Sequence, residues 1–230
     1  MQIKKKIYIS YIIIGITSAV YLLQYLSNMI FGFDVLLALG VKSNQLIIQG
    51  QLWRLITPLL LHGSIIHIGF NMYALYMVGP TLEKKYGALP FIGLYLVGGL
   101  WGNMVSFLFS PNDSLGASTA IFGLIAAQAV YIYKNRLLLG PAARPMLNNI
   151  VMLIVINFLL GLRPGIDNWG HLGGLLGGLY FAWFAGPSFD IEENLFGQNV
   201  VVKQKNRPAL ILLSAMLIAV IVLILRLTFG

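Results

Sequence analysis

Seven apolar stretches, at about 7–27, 64–82, 89–109, 117–133, 146–162, 169–185 and 209–227, limit what this chain can become more than any other feature. A helix crossing a bilayer needs roughly 20 mainly apolar residues, because inside hydrocarbon each backbone donor and acceptor must find its partner within the segment. The chain is therefore expected to be an all-α, polytopic helical bundle in a membrane. A charged fraction of only 10% and a mean hydropathy of +0.84 agree with that reading. The first run follows three lysines as in a signal peptide, yet it is longer than a signal core and lacks a clear small-residue cleavage site; it is read as a retained span.

The formal charge of +8 does not point to nucleic acid, since the cations fall in short clusters between the apolar runs. With the N-terminus cytoplasmic, Lys4, Lys5, Lys6, Lys84, Lys85, Lys134, Arg136, Arg144, Lys203, Lys205 and Arg207 all lie inside, leaving Lys42, Arg54, Arg163 and Arg226 outside. That bias fixes the expected orientation as a multi-pass cell-membrane protein. The second, fourth and sixth spans then enter from the extracytoplasmic side, carrying His67 with Asn71, Ser118, and His171 at a shared depth. Polar groups inside a membrane are costly and point to function.

Ser118 follows Gly116 at the start of the fourth span, where free amide donors suit a developing oxyanion. A serine there also serves as an ordinary helix cap. Gly174 and Gly178 follow His171 by three and seven positions, so the imidazole shares a face with a small-xxx-small contact that brings another helix close. A histidine merely satisfied by backbone in a glycine-rich interface is the plainer alternative. His67 and Asn71, four apart, project from one face and suit either an oxyanion hole or an interhelical hydrogen-bonding pair. His62 is read as tying down the preceding loop. Asp34, Asp113 and Asp167 fall in outer connections, so a Ser/His dyad without an acid is expected. There is no cysteine and no His-Glu-x-x-His pattern, and neither a metal nor a cofactor is expected. The long connection 28–63, with Phe31, Phe33, Leu36, Leu37 and Trp53, is apolar enough to lie in the membrane interface.

Taken together, Trp53-Arg54, Thr57-Pro58-Leu59-Leu60-Leu61-His62, His67-x-x-x-Asn71, Glu83 with Gly87, Gly116-x-Ser118, and His171 with Gly174 and Gly178 resemble the rhomboid intramembrane serine proteases over about residues 50 to 186. The resemblance implies a six-helix core over 1–186 including the loop 28–63, a cytoplasmic linker over 187–207, and one additional C-terminal transmembrane helix over 208–230, as in the six-plus-one members. It implies Ser118 as nucleophile and His171 as base, with His67, Asn71 and the Ser118 amide holding the oxyanion, and Phe122 beneath the catalytic imidazole. Thr119 stands where the family usually has glycine or another small residue. The implied activity is an intramembrane serine endopeptidase acting on single-pass transmembrane proteins within the lipid bilayer, with its site opening to the extracytoplasmic side. A catalytically inactive, client-binding relative and a small-solute transporter are the alternatives.

Overall fold

The computed structural model describes residues 8–193, 199–203 and 208–229. Lys4, Lys5, Lys6, Lys205 and Arg207, and part of the 187–207 stretch, lie outside the described residues. The helices in chain order are α1 (Ile9–Phe31), α2 (Val35–Gly40), α3 (Asn44–Ile48), α4 (Ile65–Tyr86), α5 (Ala88–Phe109), α6 (Ser118–Lys134), α7 (Arg136–Leu139), α8 (Ala143–Leu160), α9 (Asn168–Ala185) and α10 (Pro208–Phe229). Two 3-10 turns, Leu52–Leu55 and Thr57–Leu60, complete the connection between α1 and α4. Among the described residues, three segments are long and apolar enough to cross a membrane by length and composition: Ile9–Phe31, Ala88–Phe109 and Arg136–Leu160. The helices α4, α6 and α9 carry the polar site residues within mainly apolar sequence.

Helix α1 is turned inside out relative to a helix of a water-soluble protein, although the bundle centre is apolar. Helix α1 buries Ser10, Thr17, Gln24 and Ser27 while exposing Ile12, Ile16, Leu22, Leu23 and Leu26. Lipid is as apolar as leucine, so helices there gain by close backbone approach and interhelical hydrogen bonds rather than by hiding apolar side chains from water. The α1–α4 contact uses both devices. Ser10 lies against Gly79, and the Glu83 carboxylate of α4 accepts the backbone N–H groups of Ile9 (2.9 Å) and Ser10 (3.0 Å).

Helices α5, α6 and α9 form the centre, drawn together through bare glycines. Gly98 of α5 meets Gly123 of α6, which in turn meets Gly178 of α9. Outside this trio, α4 flanks α6, α8 rests on α6, and α10 covers α5 and α9. Trp101 Nε1 of α5 donates to the Ala215 carbonyl of α10 (3.2 Å), and the hydroxyls of Tyr180 and Ser214 pair at 2.9 Å.

The connection after α1 is compact. Asp34 caps α2 by accepting the Leu37 N–H, and the buried Arg54 guanidinium donates to the carbonyls of Ala38 and Val41, both at 2.8 Å. Trp53, Leu39, Ile48 and Leu52 stay exposed, leaving an apolar outer surface on the connection. Within 187–207, read from sequence as a linker, β1 (Phe189–Glu193) and β2 (Asn199–Lys203) form an antiparallel ribbon with Phe189 opposite Lys203. Ile191 and the run Val200-Val201-Val202 supply the β-branched residues that favour extended pairing over an irregular linker.

Candidate active site

Ser118 is the first residue of α6, and the residue at its N-cap is Ala117. The plain capping role considered for it therefore does not apply. Its Oγ, half-buried, lies 3.0 Å from His171 Nε2 on α9. The backbone before it is set by Gly116 at φ 122, a conformation that L side chains rarely adopt. A Cβ there would also stand 2.7 Å from His67 Nε2 and 3.5 Å from Asn71 Nδ2, so the bare glycine lets both side chains close on the turn leading into Ser118.

The imidazole of His171 is buried and stacks on Phe122, with ring centroids 4.3 Å apart and an interplanar angle of 16°. Phe158 of α8 meets the same ring edge-on at 6.5 Å. Nδ1 of His171 has no hydrogen-bond partner among the described residues, so ring packing holds the imidazole where a carboxylate does so in a triad. Asp167, the nearest acid in sequence, is engaged otherwise: it caps α9 by accepting the Gly170 N–H at 3.0 Å and accepts a hydrogen bond from Ser106 Oγ.

Thr119 fits because α5 and α9 make room for it. Its side chain fills a notch left by Gly102 and Gly170, while its backbone lies against Gly174. The additional methyl is absorbed by glycines on the facing helices.

Behind His67 and Asn71 sits His62, which is almost wholly buried. Asn71 Nδ2 lies 3.0 Å from His62 Nε2, and since an amide nitrogen only donates, His62 Nε2 must be the unprotonated acceptor. Burial, with His67 adding to it, pushes the His62 imidazole down to about 4, which keeps it neutral and able to accept. One Asn71 N–H is thereby used, and the other meets no acceptor among the described residues. His62 is itself held from α1, where Gln24 accepts its N–H at 3.1 Å and donates to its carbonyl at 3.3 Å. Sequence alone ties His62 only to the loop, since its bond to Asn71 spans nine residues and a change of direction that spacing does not reveal.

Residues 49–188 match the family model described as the rhomboid domain. The chain belongs to the rhomboid family. It is 40% identical over 174 residues to the rhomboid protease GluP of Bacillus subtilis, covering 75% of this chain and 34% of that protein. Rhomboid-like protease 1 of Toxoplasma gondii is 36% identical over 155 residues, 63% of this chain and 51% of that one. RHOMBOID-like protein 5 of Arabidopsis thaliana is 33% identical over 161 residues, 68% of this chain and 52% of that one. The matches thus span between a third and a half of these rhomboid relatives' own length. Family membership and the apolar helices make this a membrane-embedded protein.

Proposed function

We propose that this rhomboid is an intramembrane serine endopeptidase that cleaves transmembrane-anchored proteins near the extracytoplasmic face. The observation that carries the reading is the 3.0 Å approach of Ser118 Oγ to His171 Nε2 at the shared end of two helices locked through glycine. In this mechanism the unprotonated Nε2 takes the serine proton as Oγ attacks the scissile carbonyl. The carbonyl oxygen, now negative, is met by the Ser118 amide, the second Asn71 N–H and the His67 ring. His171 returns the proton to the leaving amine, and water attacks the acyl-enzyme by the same exchange.

Substrate reaches the site between α4 and α8. Helix α8 rests on α6 and turns Val151, Met152, Val155, Ile156 and Leu159 outward, which supports entry along this side. An intact substrate helix keeps its carbonyls in internal hydrogen bonds, so cleavage favours segments with helix-weakening residues and, by analogy with the family, small side chains at the cut. The distribution of lysine and arginine supports a cytoplasmic N-terminus with the site facing the opposite side.

The test is cleavage of a panel of single-span substrates in liposomes by wild type, Ser118→Ala and His171→Ala, with fluorophosphonate labelling of Ser118 in parallel. Both substitutions should abolish cleavage, and Ser118→Ala should abolish labelling. Equal cleavage by all three proteins would refute the dyad.

A further inference from the structure

Lys42 is among the largest fully buried side chains of the described residues, and it sits in the connection before α4 rather than in a helix of the bundle. Its ammonium donates to the carbonyls of Ser106 (3.3 Å), Ser110 (3.1 Å) and Asn112 (3.0 Å), which uses all three of its N–H groups. These acceptors are the last turn of α5 and the segment after it. Helix α5 brings no basic residue of its own to that end. The Lys42 backbone is also bridged to Ser114 in both directions, at 3.0 and 3.1 Å, four residues before Ser118.

From this clasp a path of hydrogen bonds, joined through the covalent frames of Ser106 and Asp167, runs to the backbone of His171. Ser106 Oγ donates to Asp167, and since a hydroxyl has one proton, Ser114 Oγ, 3.3 Å away, must donate to Ser106. Asp167 then accepts the Gly170 N–H through its side chain and the His171 N–H, at 3.1 Å, through its carbonyl. One end of the relay fixes the segment leading into Ser118, and the other fixes the turn bearing His171.

We propose that Lys42, acting through Ser106 and Asp167, is a positioning residue that keeps Ser118 and His171 in reacting register, doing from a distance what an acid on His171 Nδ1 would do locally. This rests on the Ser118/His171 reading above. An ammonium is costly to bury and an apolar side chain fills the same volume at less cost, so the charge is accounted for by what it orients.

The experiment compares wild type, Lys42→Met, Asp167→Asn and the double variant in liposomes, measuring kcat, KM and the labelling rate of Ser118 per folded molecule. Asp167→Asn retains an oxygen to cap α9 and removes the charge. Each single change should lower kcat and labelling about tenfold with KM within about twofold, because register between reacting groups is lost while substrate binding is untouched. The double variant should be no worse than the poorer single, since both cut one chain. Wild-type labelling in folded Lys42→Met, or losses that multiply in the double variant, would overturn the proposal. If Lys42→Met does not accumulate, Ser106→Ala paired with Asp167→Asn decides by the same criteria. Failure of the underlying reading is distinguishable, because wild type and Ser118→Ala would then label and cleave alike.

Discussion

The contact between α6 and α9 sets how far Ser118 stands from His171, and Gly174→Ala tests it directly. A Cβ at Gly174 would lie 2.8 Å from the Thr119 carbonyl carbon and 3.1 Å from its Cα, and nearer still to the carbonyl oxygen. Ordinary carbon contacts are about 3.5–4.0 Å, so the helices must part by roughly 1 Å. Thr119 adjoins Ser118 and Gly174 is one turn from His171, so most of that separation reaches the 3.0 Å pair. A misplacement of about 1 Å costs on the order of 100-fold in rate, or about 2.7 kcal/mol of barrier. Overpacking costs about 1–3 kcal/mol of stability, offset in part by the roughly 1 kcal/mol by which alanine exceeds glycine in a helix. Gly15→Ala on α1 is the control, because beyond the helix's own local backbone nothing lies within 4 Å of its Cβ position; it should keep wild-type kcat and melt no lower. The assay is single-turnover cleavage in liposomes beside thermal unfolding. Thr119→Ala should give Gly174→Ala no relief, because the collision is with backbone. A folded Gly174→Ala with kcat within twofold of wild type would refute the idea that this contact sets the dyad distance.

Burial pushes the Lys42 ammonium down to about 8, with Asp167 and then Asp113 pulling the other way. As pH rises through about 8, kcat should fall with loss of the ammonium clasp, while thermal stability gains between about 8 and 10.5, where the unfolded chain holds the Lys42 proton and the folded one does not; Lys42→Met should lack both trends. His62, held near 4 against an ordinary 6.5, contributes stability that is full above about 6.5 and lost as pH falls through about 4, and His62→Ala should flatten that acid limb in melts. His62→Ala should also lower kcat about tenfold, since Asn71 loses the partner that aims it. Glu83→Gln removes one of two acceptor oxygens at the start of α1 and should cost about 1–3 kcal/mol in thermal or denaturant unfolding, with Ser118 labelling per folded molecule unchanged.

The helices were legible because membrane residence forces long apolar runs, and each of the seven read from sequence corresponds to a helix within a few residues of the expected ends. The glycines after His171 marked a tight face, and that face does meet the helix of Ser118. What stayed hidden depends on long-range placement. Lys42 reads in sequence as one of a few outer cations, and only the fold brings it to three carbonyls more than sixty residues away. Asp167 looked like a loop acid because its partners, Ser106 and the start of α9, come from different parts of the chain. Phe158 carries no local signal at all, being one apolar residue in an apolar helix until α8 folds against His171. The ribbon after α9 was missed because a few charges masked a β-branched run.

Helix α1 has no side-chain cap of its own, and Glu83 of α4 accepts its first N–H groups from more than seventy residues downstream. During synthesis, therefore, the opening turn of α1 lacks these acceptors until α4 has left the ribosome and come alongside. The smallest piece of the nascent chain in which that turn is satisfied is the α1–α4 hairpin, and this makes the pair a single unit of assembly.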